Sequence, residues 1–374
     1  MIFKYTSLAI LAIYAFFVLT AWRKWINTPF FKLHKENNNE NECNNTKTAL
    51  VVCCRNEEEH LPLLYQSITQ QTIQPDEIIF ANDHSNDNTF DTITKLSENN
   101  QKMIVFNTIG EGKKNALREA IGKTTAELII CTDADCQLPN QHIENVVQHF
   151  QQHQPDLLLG GVMLSPTNTL FKKIQAIEFG SLIAAGAAAA FAKQPFLCNG
   201  ANIAFKRSEW MNAKEHLNDK LKSGDDIFLL QYMKAQEKKI MFLKTADLVT
   251  TAPVENVSSF FNQRKRWASK TTAYTDKFSI FVACLVFLLS LMMVVACILS
   301  VFAFKQFATF TLFLFAMKFF VDSPLLNSFF NDTKQTELIR HIPLAALLYP
   351  FYIVLAACGA LFGSFKWKEN KKNN

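Results

Sequence analysis

The sequence predicts an α/β domain with apolar, membrane-length helices at both ends, and three observations carry that prediction. Strand-length and helix-length apolar patterns alternate from residue 50 to residue 151. Runs with almost no charge occupy 5–22, 278–304 and 341–363. Between them, 48–277 has ordinary globular composition over roughly 230 residues, enough for one large core. Of the 374 residues, 49% are hydrophobic and only 19% charged, against about 25% charged in a soluble domain. This composition excludes a disordered chain, a collagen-like repeat and a small disulfide scaffold. The net charge of +5 is mild and calls for no nucleic-acid partner.

The first apolar run has only Lys4 before it, whereas Arg23, Lys24, Lys32 and Lys35 follow it. Positive flanks sit on the cytoplasmic side, so this segment is expected to run N-out, C-in. Basic residues after the run, with no small-x-small site at its end, argue against a cleaved signal peptide. The expected organisation is an anchor over 1–25, an Asn-rich linker over 26–47, a globular domain over 48–277, a C-terminal membrane region over 278–365 and a basic tail over 366–374. Inside the globular stretch, strands are expected at Leu50–Cys54, Glu77–Ala81, Met103–Phe106 and Leu128–Thr132. Helices are expected at Glu57–Gln71, Asn88–Leu96, Lys113–Ile121 and Asn140–Gln151. The Ala-rich run Ser181–Ala192 reads as a helix packed against the membrane surface, too short and too closely flanked by Lys172, Lys173 and Lys193 to span.

Toward the C-terminus, 278–304 and 341–363 are long enough to cross a bilayer, the second with a kink at Pro350. The stretch 307–330 carries Lys318 and Asp322, four residues apart on one helical face, where they can pair. Read as re-entrant or interfacial, it leaves Lys366, Lys368, Lys371 and Lys372 on the inner side, as the positive-inside rule asks. The nine cysteines are scattered, with no CxxC. They fit reduced, buried thiols in a cytoplasmic domain and lack the spacing of a zinc site. The localisation expected is a multi-pass protein of the inner (cell) membrane with its globular domain in the cytoplasm.

In mostly parallel sheets, ligands bind beyond the carboxyl ends of the strands. Arg55-Asn56-Glu57, Asn82-Asp83-His84-Ser85 and Asp133-Ala134-Asp135 follow three of the predicted strands, so polar and acidic groups converge on one edge. Two phosphate-binding motifs fail. Gly110-Glu111-Gly112 lacks the third Gly of a dinucleotide fingerprint, and Gly122-Lys123-Thr124 lacks the Gly and the strand–loop–helix order of a P-loop. The Asp133-x-Asp135 pair is more informative. Two carboxylates at a strand end repel, and a divalent cation completed by diphosphate oxygens relieves that. Taken alone, the same pair also reads as a solvated acidic turn.

The array VVCCRNEE, ANDHSNDNT (81–89), GEGKKNAL (110–117), CTDADC (131–136), CNGANIAFKRS (198–208), SGDDIFL (223–229) and QRKRW (263–267) resembles family 2 glycosyltransferases. It is most similar to the membrane-bound branch containing cellulose, chitin and hyaluronan synthases and ceramide-type glucosyltransferases. The resemblance covers about 50–270, with the motifs in the family's order. It implies a GT-A fold (Rossmann-like), a nucleotide-sugar donor, Mg2+ or Mn2+, and inversion at the anomeric carbon. It places Asp83 on the donor base, Glu57 in the nucleoside pocket, and Asp133 and Asp135 on the metal, Asp135 the more direct. Asp226 matches the general base, with Asp225 before it. Gln263, Arg266 and Trp267 match QxxRW, beside diphosphate and acceptor, and Asn199-Gly200 lies under the acceptor. Two departures stand out: Asn82 replaces a frequent first Asp, and Gly-Asp-Asp replaces Thr-Glu-Asp.

The chemistry is coherent with these roles. Inverting transfer needs a base to take the acceptor hydroxyl's proton and cationic groups on the departing diphosphate. Asp226 offers the first; Asp135 with its metal, and Arg266, offer the second. Other readings stay open from sequence alone. Asp225-Asp226 also suits a helix cap, Lys113 is a surface charge or a phosphate contact, and Trp267 suits a sugar face or an interfacial anchor. The acceptor is a lipid or a glycan, transferred to once or processively; one short N-terminal segment and two or three C-terminal ones favour single or few-step transfer. A catalytically silent nucleotide-sugar-binding subunit is the other class to weigh. The inserted α/β domain and the lack of a membrane repeat argue against a transporter.

Overall fold

Thr48 to Val52 and Leu128 to Cys131 are apolar or β-branched without alternation, the pattern of strands covered on both faces. They form neighbouring central strands in the computed structural model, which describes residues 1–33, 46–98, 100–216 and 224–362. After α1 (Ile2–Asn27) the order is β1 (Thr48–Cys54), α2 (Leu61–Thr69), β2 (Glu77–Asn82), α3 (Thr89–Ser97), β3 (Met103–Asn107), α4 (Lys113–Gly122), β4 (Leu128–Asp133), β5 (Cys136–Gln137), α5 (His142–His153), β6 (Leu157–Gly160) and β7 (Val162–Leu164). Then come α6 (Leu170–Phe191), β8 (Ile203–Lys206), α7 (Arg207–Ala213), α8 (Asp225–Ala235), β9 (Ile240–Leu243), β10 (Val249–Thr251), α9 (Val257–Lys270), α10 (Lys277–Phe302), α11 (Phe304–Asp332) and α12 (Ile342–Phe362).

The chain divides into two units. The α/β unit comprises Pro29–Met163 and Leu197–Ala252. Its main sheet runs β3-β2-β1-β4-β8-β6-β9, and a small second sheet runs β5-β10-β7. Strands β1 to β4 are mutually parallel where they pair, as the β-α alternation requires. Strand β8 runs antiparallel to both β4 and β6, which the sequence reading did not foresee. The predicted elements are recovered within two residues at each end, with one exception. The helix expected from Glu57 starts at Leu61, because Asn56 adopts φ 55 and residues 57–60 form a turn before Pro62 opens the helix.

The helical unit comprises Met1–Thr28, Leu164–Phe196 and the chain from Pro253 on. Segments 164–196 and 253–277, expected in one globular stretch, therefore group with the helices. Side-chain caps open three of them: Thr169 accepts from Lys172 N at 3.2 Å, Asn256 from Ser259 N at 2.9 Å and Asp276 from Ser279 N at 2.7 Å. Among the described residues, five helices, including the one over Leu170–Phe191, are long and apolar enough to cross a membrane.

Two expectations are corrected here. The stretch 307–330 is not re-entrant: α11 is one unbroken helix of 29 residues. Lys318 and Asp322 pair along it, so their charges do not interrupt it. The Ala-rich run is the second half of the 22-residue α6 and is largely enclosed within the helical unit rather than lying on a surface. Its small residues permit that closeness; a Cβ on Gly180 would stand 2.7 Å from the Phe330 ring. Most of the predicted linker and all of the basic tail, including Lys35 and Lys366, lie outside the described residues.

Candidate active site

The site is built at the carboxyl ends of β1, β2 and β4. Residue 83 ends the turn out of β2, and its backbone N–H donates to Cys54 O at 2.8 Å, fixing the two strand ends together. Asp83 is 4% exposed. Its Oδ1 accepts from Gly112 N at 2.8 Å, and its Oδ2 lies 3.5 Å from Arg55 Nη1. Arg55 also reaches Glu111 at 3.1 Å. Gly112 holds φ 98, a conformation that favours glycine, and it caps the start of α4. The next residue, Lys113, places its ammonium on Asp133 Oδ1. Burial by itself lowers Lys113, but the charge and hydrogen bond of Asp133 outweigh it and hold the ammonium far above the usual lysine range.

From Lys113 the contacts continue to the loop before β8 and the start of α8. A Cβ built on Gly200 would lie 3.7 Å from Lys113 Nζ and 3.6 Å from Asp226 Oδ2, in ordinary contact with both. Gly200 N donates to Asp226 Oδ2 at 3.1 Å, and Ile227 N donates to Asp226 Oδ1 at 2.8 Å. Two backbone donors thus orient this carboxylate at the first turn of α8. Asp225 beside it is buried, 3.8 Å from Lys114 Nζ. Asn199 Oδ1 accepts from Ala201 N at 3.1 Å and shapes the turn that presents Gly200.

Hydrogen bonds and ion pairs link Arg55 to Asp83, Asp83 to Gly112, Lys113 to Asp133, and Gly200 to Asp226. The thiol of Cys53 senses the same cluster. Burial pushes it up to about 12 against the pull of Lys113, with Asp133, Asp225 and Asp83 adding to the rise. Glu57 sits at the same edge, bonded to His60 Nδ1 at 2.7 Å. Asn82, at the position where an acid is frequent, donates to Asn107 at 2.7 Å and accepts from Ser85 at 2.6 Å, so it braces the loop.

Asp133 ends β4, and Asp135 follows two residues later, both partly exposed. Two carboxylates in an acid-rich edge, with room for phosphate oxygens, fit a hard divalent cation that takes few protein ligands. Among the described residues no group of three or more His, Cys, Asp or Glu is placed to hold a metal by itself.

Gln263, Arg266 and Trp267 lie on α9, in the helical unit. The residue between them, Arg264, is buried. It pairs with Glu178 of α6, donates to Gln263 Oε1 and lies 4.2 Å from the centroid of Trp267. Tyr352 of α12 donates to Glu178 Oε1 at 2.9 Å. Sequence reasoning missed Lys114, Glu178 and Arg264. Only the doubled lysine of GEGKK marks Lys114, and Glu178 stands alone in an apolar helix, the one signal that it is functional or paired.

This sheet, with its acidic edge at the strand ends, defines a GT-A type of α/β domain with apolar helices at both ends. The model of the family described as Glycosyl transferase family 2 matches residues 49–209, and this stretch is a family 2 glycosyltransferase domain. The poly-beta-1,6-N-acetyl-D-glucosamine synthase of Staphylococcus aureus (strain COL) is 31% identical over 137 residues, covering 36% of this chain and 33% of that protein. The synthase of the same name from Staphylococcus epidermidis is 29% identical over the same length and shares. The chain thus spans about a third of the length of the curated relatives it matches. A mannosyltransferase from Pyrobaculum calidifontis, solved in complex with GDP-Man and Mn2+, superposes with a TM-score of 0.61 at 15% identity, over 96% of this chain and 99% of that one. The likeness in fold extends through the helices at both ends.

Proposed function

We propose that the chain is a membrane-bound inverting glycosyltransferase that moves a sugar from a nucleotide-sugar donor to a lipid or glycan acceptor. One observation carries this: at the strand ends, Asp83 is bonded to Gly112, its neighbour Lys113 to Asp133, and Gly200 to Asp226, residues far apart in sequence. Asp83 and Glu57 bind the nucleoside. Lys113 binds diphosphate oxygens while remaining on Asp133. Asp133 and Asp135 hold Mg2+ or Mn2+, which when bound neutralises charge on the departing diphosphate. Support for the metal comes from the chemistry of the two carboxylates and from the Mn2+ complex of the similar fold.

Asp226 is the base. Its carboxylate takes the acceptor hydroxyl's proton as that oxygen bonds the anomeric carbon. The bond from that carbon to the diphosphate breaks, and the nucleoside diphosphate leaves with the electron pair. Gly200 keeps the space beside Asp226 open for the acceptor, and Asn199 holds the turn. Asp225 is kept in place by Lys114 beneath the base. Gln263, Arg266 and Trp267 take diphosphate and acceptor roles on the resemblance of QRKRW to the family motif alone.

The chain is assigned to the inner (cell) membrane, a reading supported by helices long and apolar enough to cross a bilayer. Both ends of α6 lead directly into strands of one α/β unit, where Gly160 N and Asn202 O pair at 2.9 Å. A bilayer crossing would separate those strands, so α6 stays on one side. Helices α1, α10, α11 and α12 cross, and three crossings carry the end of α12 to the face opposite that reached by α9, despite the lysines beyond it. With a cytoplasmic α/β unit, a reporter fused at residue 374 is active on the outer side; cytoplasmic activity there removes one crossing.

Catalysis is tested with purified full-length protein, a panel of nucleotide sugars, and Mg2+ or Mn2+. Metal-dependent release of nucleoside diphosphate, lost in Asp226→Asn, supports the reading; equal release by the variant removes Asp226 from its role. No turnover with any donor and acceptor favours a silent nucleotide-sugar-binding subunit. The names of the curated relatives favour a second reading, processive synthesis, and product length separates it from the single or few-step transfer proposed here.

A further inference from the structure

The helical unit contains a cavity of about 120 Å³ bounded by α1, α6, α10, α11 and α12. Its wall is apolar over most of its area, with Ile177, Val282, Leu326 and Phe17 among the contributors. Glu178, Lys318 and Asp322 are the charged residues that line it. Glu178 pairs with Arg264 and accepts from Tyr352, while Asp322 pairs with Lys318 and accepts from Tyr14 at 2.8 Å. Each negative charge is therefore cancelled within the wall, and the cavity offers no net field to an ionic headgroup. Leu348, which lines the cavity, is 44% exposed. Its volume holds a short length of hydrocarbon, being somewhat below an engineered apolar cavity of about 150 Å³ that stays dry and binds benzene.

We infer that this cavity holds part of the hydrocarbon chain of a lipid acceptor. The inference rests on the glycosyl-transfer reading and narrows its acceptor from lipid or glycan to lipid. On the membrane reading the surroundings of these helices are lipid, which supplies the chain, and a mostly apolar wall whose charges are paired suits hydrocarbon better than a glycan or an ionic headgroup. Position ties the cavity to transfer. Glu178 lines it and also anchors Arg264, which stands between Gln263 and Arg266 on α9 and packs under Trp267. One carboxylate thus belongs both to the cavity wall and to the support of the motif assigned to the acceptor.

The test uses the full chain in nanodiscs with a diacylglycerol probe carrying a diazirine on its acyl chain. Cross-links are mapped by peptide mass spectrometry, and sugar transfer is read as label entering the organic phase from a total membrane lipid extract. Saturable labelling of cavity residues, competed by unlabelled lipid, is expected. Ala346→Phe and, from another helix, Val282→Phe fill the space and lower both labelling and transfer to lipid by at least roughly ten-fold, while metal-dependent donor hydrolysis persists. Leu355→Phe, on the exposed side of α12, changes neither, and thermal unfolding confirms that all variants fold. Non-saturable labelling spread over outward faces means annular lipid and overturns the inference. So does full transfer in both filled variants, or saturable labelling with glycan as the sole product. Absence of any donor turnover sinks the glycosyl-transfer reading instead, whatever the labelling shows.

Discussion

At the strand edge of the α/β unit, Asp83, Asp133, Asp135, Asp225 and Asp226 outnumber Arg55, Lys113 and Lys114, whereas in the helical unit Glu178 and Asp322 each face one cation, Arg264 and Lys318. The contrast follows from the solvent of each region. Beside water, an excess of carboxylate is screened and stays available to a divalent cation and a diphosphate. In lipid an uncompensated charge costs several kcal/mol, so each must be neutralised where it stands. On the proposed function the unbalanced cluster binds a cation and a diphosphate, while the balanced pairs brace the helices.

Substitutions can break that contrast, starting with the largest expected effect. Asp226→Asn leaves the fold intact and lowers transfer by about 10²–10⁴-fold, the usual contribution of a positioned base; product release at saturating donor measures it. Arg264→Met leaves the Glu178 carboxylate buried without its counter-charge and destabilises the helical unit by about 3–5 kcal/mol. Adding Glu178→Gln to Arg264→Met restores much of that loss in a thermal unfolding assay, because the pair matters as a pair.

A smaller effect concerns acid. His142, buried in α5, is lowered to about 4 by burial alone. Between pH 6.5 and 4 the unfolded chain binds a proton that the folded one refuses. Stability therefore falls as pH falls through that window, by about 1.4 kcal/mol per pH unit for this residue. His142→Phe flattens the slope in a pH series of melting temperatures. Smallest of all is Gly200→Ala, whose Cβ meets its neighbours at ordinary contact distance. It is expected to cost less than about ten-fold in turnover, while Gly200→Leu fills the space beside Asp226 and blocks the acceptor.

How much of this was legible in the sequence differs between the two regions for the same physical reason. The parallel strands announce themselves as apolar runs, and the polar residues just after each one mark the edge, so Asp83 and Asp133 were identifiable before the fold was known, whereas Asp226, which opens α8, came only from the family resemblance. Lys114 was not, because its partner Asp225 is far away in the chain. In the helices, hydropathy gave length but little about contacts. Lys318 and Asp322 were readable as a pair because they are four residues apart on one helix, but the partner of Glu178 lies 86 residues away. Segment 307–330 read as re-entrant or interfacial because that keeps Lys366, Lys368, Lys371 and Lys372 on the inner side, a rule that carries no information on helix continuity. The antiparallel β8 carries no local mark of its direction, and α6 carries none of its burial.

The central claim, that the acidic strand edge gathers a cation and a diphosphate together, is tested most directly by Mn2+ titration followed by electron paramagnetic resonance, with and without nucleoside diphosphates. The expected result is loss of the free Mn2+ signal at one ion per chain only when a nucleoside diphosphate is present, abolished by Asp135→Asn with melting temperature unchanged. Equal binding in Asp135→Asn, or no binding with any nucleoside diphosphate, would contradict it.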